Sequence, residues 1–166
     1  MYAEAVPVAR HALSRISHLL DIVEASGRAE ALLSARLSED MWPCRGQLAS
    51  ATGFVLRATL PLAGREVPVV TLDSDLAALR RKVTEAAALL DGLDAADFAG
   101  AAQREVAHRA GFADLRQSGA DYLRLFAFPN LWFHVAMAYA VLRAEGVEIG
   151  KEDYDGQHRY RKGFRF

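Results

Sequence analysis

Eighteen consecutive residues, Leu125 to Leu142 (LFAFPNLWFHVAMAYAVL), contain no Asp, Glu, Lys or Arg. Asn130, His134 and Tyr139 are the polar interruptions of this run. A helix that is apolar on every side must be covered on every side. The run is therefore expected to form the core around which the other helices wrap. It is near the minimum length of a membrane span, but it carries Pro129, Asn130 and His134 and has no second span beside it. Those features favour a buried core or subunit interface over a bilayer, so no membrane partner is expected.

The chain has 166 residues, which suits one domain able to bury about two-thirds of its unfolded surface. With 52% apolar and 25% charged residues it has an ordinary globular composition. The net charge of −1 gives no general attraction for nucleic acid. A single cysteine, Cys44, excludes an internal disulfide and suits a reducing compartment. The first residues show no basic segment followed by an apolar one, so a cytoplasmic location is expected.

Helical spacing organises the rest. Ala9, Leu13, Ile16, Leu20 and Val23 form one stripe of a first helix over 6–25, with Pro7 expected in its first turn and Gly27 as its stop. A short turn of helix is expected over 29–35. A second long helix is read over 43–60, with Leu48, Ala51, Val55 and Ala58 inward, and with Gly46 and Gly53 permitting close packing. The stretch 66–71 reads as extended. A third helix follows, capped at Asp73 or Ser74, with Leu76, Leu79, Val83 and Leu90 inward and Gly92 at its end. Residues 98–117 are readable as a small β-hairpin turning at Ala110-Gly111, or as a helix. Ser118 and Asp121 then resemble a capping arrangement for a fourth helix, which Pro129 must bend or restart. The tail, 157–166, is basic and aromatic and is read as a solvated end distinct from a domain over 1–156.

The polar residues offer few constellations. His11 and His18 are seven apart, on a face directed away from the apolar stripe toward solvent or a partner, and have no second ligand three or four residues away. Asn130 and His134, four apart, share a face of the apolar helix and are placed to bond each other or a common ligand. No phosphate-binding glycine loop, GxSxG or HExxH occurs. Cys44 opens the second long helix, where a dipole lowers a thiol pKa, yet a structural thiol is the favoured reading.

Four words in the chain carry a resemblance. They are Asp40-Met41-Trp42-Pro43, Gly119-Ala120-Asp121-Tyr122-Leu123, Pro129-Asn130 leading to Phe133-His134-Val135, and the ending from Leu142-Arg143 through Gly146-Val147 and Ile149-Gly150-Lys151 to Asp153-Tyr154. Together they resemble an uncharacterised bacterial domain family within the DinB-like superfamily, over roughly residues 5–156. The resemblance implies an all-α, up-down four-helix bundle, often paired as a homodimer. Better-known branches of the superfamily bind a divalent metal with three histidines, some of them as thiol-dependent transferases. Gln47 falls at the first of those histidine positions, His134 at the second and Ala138 at the third. Alanine cannot coordinate and glutamine is a poor ligand for zinc or nickel. No metal and no other cofactor is therefore expected.

The reading that follows is a metal-free bundle with a polar pocket for a small organic ligand, lined by Gln47, Asn130, His134, Tyr122 and Tyr139. The alternatives are a transferase-like enzyme with a rebuilt metal site, and a homodimeric assembly protein.

Overall fold

The computed structural model describes residues 1–161. Six helices occur among them: α1 (Tyr2–Ala25), α2 (Ala29–Ser34), α3 (Cys44–Arg57), α4 (Leu76–Asp91), α5 (Gly119–Ala144) and α6 (Lys151–Asp155). Between α4 and α5 lies an antiparallel pair, β1 (Glu105–Ala110) and β2 (Ala113–Ser118). The protein is thus mostly helical with one small two-stranded sheet.

α1, α3, α4 and α5 share one core. α1 contributes Ala9, Leu13, Ile16, Leu20 and Val23, the whole stripe expected from spacing. It begins earlier than expected, so Pro7 lies in its second turn rather than its first. The carbonyl that Pro7 leaves without a donor is that of exposed Ala3, where water can serve. α4 is capped by Asp75, whose side chain accepts from the Ala78 N–H at 2.7 Å, one residue beyond the expected caps.

The helix enclosed on all sides is α3, not the apolar run of α5. Every residue of α3 from Gly46 to Leu56 is buried. Its small side chains, Gly46, Ala49, Ser50, Ala51, Thr52 and Gly53, let α1, α2, α4 and α5 all approach it. The Thr52 hydroxyl does not oppose this burial, because its Oγ1 donates to the Leu48 carbonyl within the helix, at 2.9 Å. A Cβ on Gly53 would meet Val70 at 3.4 Å, so the extended segment before α4 lies directly across α3.

α5 buries Leu131, Val135, Ala138, Val141 and Leu142, but Leu125 is 69% and Phe133 51% exposed. The expectation of burial on every side therefore fails along one strip, Leu125, Pro129 and Phe133, which this chain leaves exposed. By length and composition alone α5 would suffice to cross a membrane. Pro129 is accommodated without a break. The stretch Tyr122–Ala127 is wound as a π-helix, and the Asn130 side-chain amide donates to the Phe126 carbonyl at 2.7 Å. A wider turn followed by a side-chain donor re-satisfies carbonyls near the proline.

The hairpin reading of 98–117 holds for 105–118. Gly111 has φ of 59° and leads a two-residue turn in which Ala110 pairs Ala113. Glycine at the first central position with a positive φ, followed by a residue without one, is the turn that suits strand twist. Val106 and His108 then share a strand face, and Val106 is buried.

Candidate functional site

The sequence-predicted site residues do not converge on one pocket. Gln47 and His134 do meet: Gln47 Oε1 accepts from His134 Nδ1 at 2.8 Å, while Gln47 Nε2 donates to the Trp42 carbonyl at 3.4 Å. The imidazole is stacked between Trp42, at 5.7 Å between ring centroids and 10° between planes, and Phe54, at 5.5 Å and 23°. Burial there, with the Arg57 charge in addition, lowers the His134 pKa to about 4. It is a neutral ring at pH 7, with Nδ1–H donating. Asn130 does not join it, because its amide is turned back to Phe126. Tyr139 packs edge-on against Tyr154 of α6, at 5.9 Å. Tyr122 lies elsewhere again, on the wall of a cavity.

The position where the superfamily places a metal fails the donor test. Ala138 presents a methyl group. His134 has one nitrogen lone pair left once Nδ1 is engaged, and the Gln47 oxygen is already accepting from it. Among the described residues no group of three or more His, Cys, Asp or Glu comes together as a metal would need. Cys44 is fully buried, and burial pushes its thiol up to about 12 against the smaller opposing pull of Arg45. It is a packing residue.

The cavity has a volume of about 590 Å³. Its walls come from the C-terminal end of α3 (Arg57), the extended segment with Val67, Pro68 and Val70, β1 with Val106 and His108, and the π-helical stretch with Tyr122 and Phe126. Four aromatic rings connect it to the His134 pair. Phe54 lies 5.7 Å from Phe126, which lies 4.2 Å from His108 and 5.6 Å from Tyr122. Burial raises the Tyr122 hydroxyl to about 12, with Arg57 acting in the opposite direction.

His108 Nε2 donates to Gln117 Oε1 across the hairpin at 2.8 Å. Its Nδ1 is buried without a hydrogen-bond partner. Sequence reasoning passed over both His108 and Arg57. The hairpin, once accepted, would have put His108 on the face of Val106, and Arg57 follows Phe54 by three residues on α3.

His11 and His18 lie half-buried at the surface. His18 Nε2 lies 2.8 Å from Asp153 of α6, and the His11 ring lies 6.3 Å from that of Trp132. The start of the tail is also held, since Asp155 accepts from the backbone N–H of Gln157 and of His158 at 2.8 and 3.0 Å. The rest of the expected solvated tail, 162–166, lies outside the described residues.

Known proteins place this geometry. A crystal structure of a DinB family member protein from Shewanella denitrificans superposes with a TM-score of 0.82 at 30% sequence identity, covering 96% of this chain and 94% of that one. No curated protein matches the sequence. The family model described as domain of unknown function DUF1993 matches residues 1–155. The chain belongs to the DUF1993 family and has a DinB-like fold.

Proposed function

We propose that this DUF1993 protein binds a small organic molecule without a metal, in the cavity between α3, the hairpin and the π-helical stretch of α5. The observation that carries the reading is the cavity wall itself: apolar side chains with Tyr122 and His108 set among them. Few polar groups in an apolar concavity are what orienting a small ligand requires. The lining moves from the expected set of Gln47, Asn130, His134, Tyr122 and Tyr139 to Tyr122 with His108, Phe126 and Arg57. Gln47 and His134 then serve as the packed support behind Phe54. What favours a metal-free protein is the methyl of Ala138 and the poor ligand Gln47 where two histidines would stand. Elemental mass spectrometry of untagged protein tests this, with stoichiometric zinc or nickel counting for the transferase-like alternative.

The ligand test is a titration of isotope-labelled protein with small aromatic acids and amides, followed by two-dimensional NMR. Shifts gathered at residues 66–70, 105–109 and 122–126 are the expected result. Shifts scattered elsewhere, or none at millimolar ligand, would overturn the reading.

A second reading concerns assembly. The four long helices are read as an up-down bundle, and Leu125 and Phe133 on the outer side of α5 favour a homodimer through that face. Phe133→Glu should convert a dimer to monomer in light scattering, and a wild-type protein that is monomeric at micromolar concentration would end this reading.

A further inference from the structure

The cavity's charges point to a narrower ligand class. We propose that the molecule held there is a monocarboxylate with an apolar body, anchored through its carboxylate by Arg57; this rests on the cavity being a ligand site.

Three arginines line the cavity, and two have a carboxylate beside them. Arg65 pairs with Asp97 at 2.7 Å, and Arg109 lies 3.7 Å from Asp114. Among the described cavity arginines only Arg57 lacks a carboxylate partner. Its guanidinium carbon sits 4.9 Å from the centre of the Phe54 ring, a cation–π contact that positions the head group and leaves its N–H fork for a ligand. Its charge is felt at both Tyr122 and His134, so its field reaches the aromatic wall as well as solvent.

A planar guanidinium matches a carboxylate with two parallel hydrogen bonds. The charge balance favours a monoanion. One arginine without a carboxylate partner matches one carboxylate, and Glu66 on the same lining opposes a second negative charge. A phosphate monoester, with nearly two, would place the remainder against Val67, Pro68, Val70 and Phe126, with Glu66 on the same lining. The apolar body has those same four side chains and Val106 to cover it.

A matched pair of probes separates charge from shape: 3-phenylpropionate and 3-phenylpropionamide, titrated by NMR into wild type, Arg57→Gln, Arg65→Gln and Glu66→Gln. Wild type should bind the acid at least about tenfold more tightly than the amide, as expected for a hydrogen-bonded charge. Arg57→Gln should bring the acid down to the amide's affinity and leave the amide unchanged. Arg65→Gln should preserve the preference, because Asp97 already occupies that arginine, and Glu66→Gln should strengthen acid binding. Equal binding of the two probes to wild type would overturn the carboxylate assignment while leaving the cavity a ligand site. So would a preference that survives Arg57→Gln. Binding of neither probe at millimolar concentration would overturn both.

Discussion

Gln47 and His134 stand 87 residues apart and are joined by a 2.8 Å hydrogen bond from Nδ1 to Oε1. The bond ties the first turns of α3 to the middle of α5, and the Trp42 and Phe54 rings close over it. A Gln47→Ala substitution would leave a buried N–H without an acceptor. The expected loss is about 1–3 kcal/mol in urea denaturation. Pairing it with His134→Phe, which removes the donor and keeps an aromatic ring between the other two, should recover part of that loss. A double variant no more stable than Gln47→Ala would show that the pair is not coupled in this way.

The same ring sets a pH dependence. The folded chain keeps His134 neutral down to about pH 4, because burial and then Arg57 disfavour its cation. An unfolded chain takes up that proton near pH 6.5. Between these values the unfolded state binds more protons, so His134 contributes stability that is present above pH 6.5 and is lost as pH falls toward 4. The slope reaches about 1.4 kcal/mol per pH unit and the total about 3 kcal/mol. His134→Gln should flatten this part of the stability profile relative to wild type. Parallel profiles from pH 7 to 4 would remove His134 as the cause.

Cys44 provides a probe of opening. It begins α3, where the helix dipole favours a thiolate, but it is fully buried and its thiol is pushed up to about 12. Its backbone N–H is also held, donating to the Ala35 carbonyl at 2.8 Å. Iodoacetamide labelling at pH 8 should be slower than in urea by at least about a hundredfold and should follow unfolding. Rapid labelling of native protein would mean that the start of α3 opens on its own.

Much of this was legible in the sequence, and the failures have physical causes. The stripe of α1, the ending at Gly92 and the four family words led to the right helices. The Leu125–Leu142 run marked a helix correctly but not its surroundings, because hydropathy states what a surface prefers and not whether its own chain covers it. The enclosure of α3 is hard to read for the opposite reason. Gly, Ala, Ser and Thr add little apolar signal, yet their small size is what allows four elements to close around one helix. Asn130 and His134 have the spacing of a pair, but Pro129 disturbs the backbone bonding of its own turn, and a carbonyl four residues back captured the Asn130 amide. The cavity was hidden because it is assembled from a hairpin, an extended segment and two helix ends, none of which shares a periodic pattern.

Gly119 puts the N-terminus of α5 under a test of sign. A Cβ there would lie 2.0 Å from the Ala101 carbonyl oxygen and 3.0 Å from Leu62 Cδ2. The neighbouring backbone has little freedom to withdraw, since the Gly119 N–H donates to the Arg104 carbonyl at 2.8 Å and that of Ala120 to the Ala102 carbonyl at 3.1 Å. Helix propensity alone would make Gly119→Ala stabilising by up to about 1 kcal/mol. The steric conflict with fixed backbone should outweigh that gain and destabilise the fold by about 1–3 kcal/mol or more. Amide exchange should rise at residues 101–104 and 119–120 together, because the same contacts hold both segments. A Gly119→Ala protein with an unchanged or higher urea midpoint would show that the 101–104 loop can yield, and that this glycine is not fixed by close approach.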